Sequence, residues 1–113
     1  MSDLLQIIDT AGPGEGVRIV KLIGPCTLAE MFKFQDVLRA QAAPVTLLDI
    51  TEVPYMDSAA LGCVVRLHVS CEAQKTKYAV VGASDRIKTL FKVTHVDSVL
   101  IQYPTTDEAL SKL

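Results

Sequence analysis

The stretch "TLLDITEVPYMDSAALGCVVRL", residues 46–67, decides how the chain folds. It overlaps "VTLLDI" at 45–50, a nearly continuous apolar run that predicts a central strand covered on at least one face. Pro54 belongs to a short loop. From about Ser58 to Gln74 the pattern turns helical: Ala60, Leu61, Val64, Val65, His68 and Cys71 share one broad arc, opposite Arg66, Ser70 and Gln74. At the hinge Asp57 precedes Ser58, and either can cap the helix, worth about 0.5–2 kcal/mol. Ser58 also stands at the carboxyl end of a central strand, where open α/β sheets place their sites. Its hydroxyl is therefore a candidate for chemistry as well as for capping.

Reading outward, "AGPGEG" at 11–16 is a turn between "LLQIID" and "VRIVKLI", which predicts a hairpin at one edge of a sheet. In the second run Val17, Ile19 and Lys21 alternate with Arg18, Val20 and Leu22, a strand of mixed facing. "TLAE" at 27–30 fits a capping box, with the Thr27 hydroxyl accepting from the Glu30 N–H and the Glu30 carboxylate reaching back. Leu28, Met31, Phe32 and Leu38 then give that helix an apolar face, and "AAP" at 42–44 ends it. "YAVVG" at 78–82 is a short strand, and "SDRIKTLFKV" at 84–93 a helix with Ser84 as N-cap and Ile87, Leu90 and Phe91 inward. "SVLIQY" is a last strand, and "TTDEALSKL" a last helix capped by Thr105 or Thr106. Strands and helices alternate from residue 45 onward, so the expected fold is α/β, with about five strands in a mixed sheet and about four helices.

Composition narrows the function. The 113 residues make one domain, and half of them are hydrophobic, enough for a single core. The net charge is −2, with 11 basic and 13 acidic residues scattered singly, which argues against a nucleic-acid surface. No run of about eighteen apolar residues is present for membrane insertion, and "MSDLLQIIDT" has an acid where a signal peptide carries positive charge. Cys26, Cys63 and Cys71 are odd in number and form no C-x-x-C pair. Free thiols in a reducing compartment account for them, and a cytoplasmic location is expected. His68 and Cys71 sit three apart on one helix but lack a partner pair, so core packing is expected and no metal. "M-D-S-A-A" has none of the glycines of a nucleophile elbow, and "GPGEG" lacks the Lys-Ser/Thr of a phosphate-binding loop. No enzyme activity and no cofactor is expected.

A phosphate on Ser58 would meet free N–H groups of the first helical turn and the positive end of its dipole. It would add about 1.5 to 2 negative charges beside Asp57, so the fold tolerates a mark that a partner must notice. Gly62 costs its helix about 1 kcal/mol relative to Ala and lies near Arg66 on the polar side. Close approach of another chain and drift at a tolerant position both account for it. Cys63 and Leu67 flank the inward arc, as an apolar fringe for docking or by ordinary partial burial.

Several segments together resemble the STAS domain, the fold of bacterial anti-sigma factor antagonists. "LLDITEVPYMDSAALG" is similar to the family's strand, Asp-Ser loop and small-residue helix start. "VVGASDRIKTLFKVTHVDSVLIQYPTTDEAL" resembles its second half, and "KLIGPCTLAEM" its strand-glycine-helix segment. The resemblance covers nearly the whole chain as one STAS domain, 1–113. It implies partner switching: Ser58 is phosphorylated by a serine kinase of the histidine-kinase-like ATPase type that is also the anti-sigma factor. The unphosphorylated antagonist binds that kinase and frees a sigma factor, and a phosphatase reverses the mark. Met56, Asp57, Ala59, Gly62 and Arg66 would lie on or beside the contact face, with Gly24 to Thr27 and Ser84 to Asp85 contributed by loops at the same end of the sheet. Family members often carry an acidic G-E-L-D pattern where this chain has "GPCT". Other STAS proteins are unphosphorylated scaffolds or regulatory subunits of stress-signalling or transport complexes, which is the alternative the resemblance leaves open.

Overall fold

The computed structural model describes residues 5–12, 14–40 and 43–113. Residues 1–4, Pro13 of the expected turn, and Gln41 and Ala42 at the expected helix end lie outside the described residues. Strands β1 (Gln6–Ala11) and β2 (Val17–Ile23) form the expected hairpin. A 3₁₀ turn over Leu28–Glu30 leads into α1 (Met31–Ala40), followed by β3 (Val45–Glu52), α2 (Ser58–Gln74) and β4 (Lys77–Val81). Then come α3 (Asp85–Val93), β5 (Gln102–Tyr103) and α4 (Thr106–Lys112). The described strands form one sheet in the order β1-β2-β3-β4-β5, antiparallel only at the hairpin. Strand β3 is central, as its continuous apolar run requires.

Alternation along the strands sends side chains to two cores. Val20, Leu22, Leu48, Ile50, Tyr78 and Val80 face one way and meet Phe34 of α1, the inner arc of α2, and Ile87 and Phe91 of α3. Leu47, Ala79 and Val81 face the other way, where Ala109 and Leu110 of α4 cover them. Gly82, just beyond β4, sits at φ +77°, and a Cβ there would stand 2.0 Å from Thr51 Cγ2. Only glycine fits that crossing of chains.

Two helical faces differ from expectation. On α1 the buried residue is Phe34, with Met31, Val37 and Leu38 half-buried beside it, whereas Leu28 and Phe32 are 61% and 70% exposed. Phe34 lies three after Met31 and four before Leu38, a second helical stripe that wins because it faces both the sheet and α2. On α2, Cys63 and Leu67 are fully packed where a fringe was one reading, and Val65 and His68 are half-buried. The inner arc is shifted because α2 is covered on two sides, by the sheet and by α1.

The predicted strand "SVLIQY" shortens to two residues. Val99 and Leu100 donate to the Val96 carbonyl in a turn that drives Leu100 into the core. Only Gln102 and Tyr103 pair with β4, opposite Val80 and Val81. Tyr78 holds this turn from below: its hydroxyl accepts from the Ile101 N–H at 3.1 Å and lies 2.7 Å from His68 Nδ1. His68, expected among apolar neighbours, is thus a hydrogen-bonded member of the core rim. Burial pushes the Tyr78 phenol above its usual range, so it remains a hydroxyl that can both donate and accept.

The hairpin edge is pinned by charge. Arg18, on the same face as Val20 and Leu22, is 5% exposed. Its Nε and Nη2 donate to the two Asp9 oxygens at 2.8 Å each, and Nη2 also donates to the Val37 carbonyl of α1. A buried guanidinium without its carboxylate is costly. The Arg18 bonds hold the Asp9 carboxyl below its usual range. Because the folded value lies below the unfolded one, this stabilisation is complete above about pH 4 and is lost as pH falls through the folded value. Asp9→Asn is therefore expected to lower stability by about 1–3 kcal/mol at neutral pH and to flatten the loss of stability as pH falls below about 4. Urea midpoints across that range measure both effects, and parallel acid limbs in the two proteins would contradict the assignment.

Candidate functional site

Strands β2, β3 and β4 are parallel, so the loops that leave their carboxyl ends gather at one end of the molecule. After β2 the chain turns at Gly24, whose φ of +104° favours glycine. The next residues run beside the loop that follows β3. Gly24 N–H donates to the Glu52 carbonyl, Cys26 N–H to that of Tyr55, and Asp57 N–H to that of Cys26. Cys26 and Met56 thereby form a parallel bridge that extends the β2–β3 pairing past the strands.

Asp57 stands where this bridge ends and two helical segments begin. Its Oδ1 accepts from the Ala60 N–H at 3.0 Å, which caps α2, and its Oδ2 accepts from the Leu28 N–H at 2.8 Å, which caps the 3₁₀ turn. The capping box expected at Thr27 is not formed: the Thr27 side chain makes no cap bond, and Glu30 N–H donates to the Thr27 carbonyl instead. A carboxylate from another loop has taken over the role that local spacing gave to the Thr27 hydroxyl. The open choice between Asp57 and Ser58 as cap of α2 resolves to Asp57.

Ser58 is consequently spare. It is the first residue of α2 and exposed, and its hydroxyl has no hydrogen-bond partner among the described residues. Gly62 and Arg66 follow on the same exposed side, and Ala59 is half-buried. A Cβ on Gly62 would meet nothing within 4 Å, so no packing inside this chain requires a glycine there. Met56 departs from expectation. At 5% exposure it belongs to the core, because its bridge to Cys26 turns the side chain inward, and it offers no contact surface. Gly24 and Thr27 are half-buried in the neighbouring loop.

On the far side of β3, Ser84 caps α3 by accepting from the Ile87 N–H, and Asp85 is exposed beside it. That loop reaches the corner through Arg86, whose guanidinium stacks 5.0 Å from the Tyr55 ring. Neither Tyr55 nor Arg86 stands out in the sequence, since nothing local pairs a loop tyrosine with an arginine a helix away.

Two thiols lie close to the corner. Burial, with the nearby Cys63 next, pushes the Cys26 thiol up to about 12, and burial likewise raises Cys63. Both are therefore protonated at neutral pH, unsuited to act as thiolates. Among the described residues no group of three or more His, Cys, Asp or Glu is arranged to hold a metal ion. No helix among them is long and apolar enough to cross a membrane.

A five-stranded mixed sheet flanked by four helices is the architecture of a known class. The family model of the STAS domain matches residues 13–109, and the chain belongs to that family. Among curated proteins it is similar to the anti-sigma-B factor antagonist of Listeria monocytogenes, 32% identical over 65 residues. That match covers 58% of this chain and 57% of the relative's length. Among solved structures it resembles an anti-sigma factor antagonist from Mycobacterium paratuberculosis, with TM-score 0.86, 19% identity, and coverage of 98% of this chain and 95% of the other. The antagonist SpoIIAA, solved in its unphosphorylated form, superposes with TM-score 0.72 at 15% identity over 96% of this chain and 95% of its own. At these identities the superpositions establish the fold.

The division of labour at the corner makes its two residues respond differently to truncation. Asp57→Ala leaves two N–H groups without their acceptor and is expected to cost about 1–3 kcal/mol, whereas Ser58→Ala should stay within about 0.5 kcal/mol. Gly62→Ala, with open space for its methyl, should stabilise the chain by about 1 kcal/mol. Denaturant unfolding ranks the three variants. A Ser58→Ala cost equal to that of Asp57→Ala would show that the hydroxyl, too, caps the helix.

Proposed function

We propose that this chain is a non-catalytic anti-sigma factor antagonist that changes partners according to phosphorylation of Ser58. The observation that carries the reading is the exposed, unbonded Ser58 hydroxyl next to an aspartate that does all the capping. A modification can then alter the surface without removing any bond that holds the fold.

The partner is a serine kinase that doubles as the anti-sigma factor. In the reaction the Ser58 Oγ attacks the γ-phosphorus of ATP, the bond from that phosphorus to the bridging oxygen breaks, and ADP leaves. The hydroxyl proton must pass to a base. Both Asp57 oxygens already accept backbone N–H groups, which weakens them as bases, and under this reading the base comes from the kinase. The product phosphate sits at the start of a 17-residue helix. The N–H groups of Ser58 and Ala59, left over by the Asp57 cap, and the positive end of the helix dipole favour it there. The same charge opposes any partner surface that had closed over a neutral hydroxyl. A phosphatase restores the binding form.

The test combines the chain, its co-encoded serine kinase and ATP, with the product read by intact and peptide mass spectrometry. One phosphate on Ser58 is expected, with none on Ser58→Ala. Ser58→Asp should fold like the parent and lose kinase binding. Phosphate on another residue, or none at all, would leave a binding module without a switch.

A further inference from the structure

Helices α1 and α2 leave the carboxyl ends of adjacent parallel strands and so descend the same face of the sheet side by side. Between them runs a groove whose upper end is closed by the Asp57–Leu28 bond, one residue before Ser58. Leu28 of the 3₁₀ turn and Phe32 of α1 are exposed above it, seven and three residues before the lining residue Gln35 and so on its stripe of the helix, and the Leu28 N–H is bonded to Asp57. Gly62, one turn below Ser58, leaves the α2 side open. Lower down the groove deepens into a cavity of about 130 Å³, floored by Leu38, Cys63 and Leu67. Arg39 of α1 and Arg66 of α2 form its two lips. Neither guanidinium is paired with a carboxylate among the described residues, and none of the lining residues is acidic, in a chain whose net charge is −2.

We propose that this groove receives an acidic amphipathic helix of a partner protein, lying along α1 and α2 with an apolar residue in the cavity and a carboxylate between Arg39 and Arg66. The proposal deepens the partner-switching reading and rests on it for the identity of the face. Charge chooses the occupant. Two arginines from different helices converge on one apolar floor, which suits a ligand that carries apolar anchors and negative charge together. Exposed Leu28 and Phe32 supply a second apolar contact about two turns away, the spacing of anchors on a docked helix. Gly62 removes the side chain that would otherwise hold the incoming backbone away. Ser58 starts α2, about two turns above Arg66 on the helix that forms one wall, so its phosphate would set negative charge against an acidic helix lying along that wall. This connects the modification to loss of binding without any change in the fold.

The test needs no kinase. The ¹⁵N-labelled chain is titrated with a synthetic capped helical peptide carrying leucines at i, i+3 and i+7 flanked by glutamates, and with the same peptide carrying lysines for the glutamates. Amide shifts are expected at Phe32, Gly62 and Arg66 with the acidic peptide. Binding should fall by about tenfold or more for the lysine peptide, and for the chain carrying Arg39→Glu and Arg66→Glu together. Phe32→Ser and Ser58→Glu should each weaken the acidic peptide, while Ser58→Ala should bind it like the parent. All of these positions are on the surface, and retained spectral dispersion confirms that each variant folds. Equal binding of the two peptides, or shifts confined to another face, overturns the proposal. Movement of the same resonances on diluting the chain alone also overturns it, since a second copy would then fill the groove. Phosphorylation is read separately by mass, so failure of either idea is visible without the other.

Discussion

The Asp57 carboxylate, bonded to Leu28 N–H through one oxygen and Ala60 N–H through the other, is the interaction on which the Ser58 end of the molecule depends. Each helical start leaves donors that its own turn cannot satisfy. One acidic side chain answers two of them in separate loops, and so sets where α1 and α2 begin relative to each other. The Cys26–Met56 bridge places the carboxylate for this task, and the buried Met56 side chain keeps the bridge from sliding. Because one residue carries the capping, its neighbour Ser58 is released from structural duty.

The same clamp organises the surface around it. With α1 and α2 started at a common level, their flanks meet along the groove lined by Leu38, Arg39, Cys63, Arg66 and Leu67. Phe34, Cys63 and Leu67 pack in one core beneath that groove, while Leu28 and Phe32 stay outside. Across β3, the Arg86–Tyr55 stack ties the α3 loop to the corner by a weaker, solvent-facing contact. The corner is therefore firm on its α1 side and more loosely held on its α3 side.

Two further polar anchors lie away from this end. The Arg18–Asp9 pair joins the hairpin to α1, and the Tyr78 hydroxyl joins α2 to the turn before β5. Both groups sit in or at the edge of the core, where unpaired polar atoms would be expensive. Neither involves the residues of the Ser58 corner. Under the proposed switch, that separation would let a charged group appear at Ser58 while the two cores stay as they are.

Local signals determined a good part of this protein. The continuous run at 45–50, the Asp-Ser hinge, the helix from Ser58 to Gln74 and the Ser84 cap all follow from residues close together in the chain. Hydrophobic period and capping chemistry act over a few residues, which is why they were legible. Tertiary structure decided the rest, because those outcomes depend on bonds and contacts between distant segments. Thr27 lost its cap to a carboxylate thirty residues on, and α1 turned Phe34 inward instead of Phe32 because α2 and the sheet together made that the better-covered face. Likewise Met56 went into the core through a bridge to another loop, and "SVLIQY" gave up most of its strand to a turn held by Tyr78. Sequence alone could place a hydroxyl at the start of a helix. Only the fold could show that an aspartate bonded to a second helix had left that hydroxyl free.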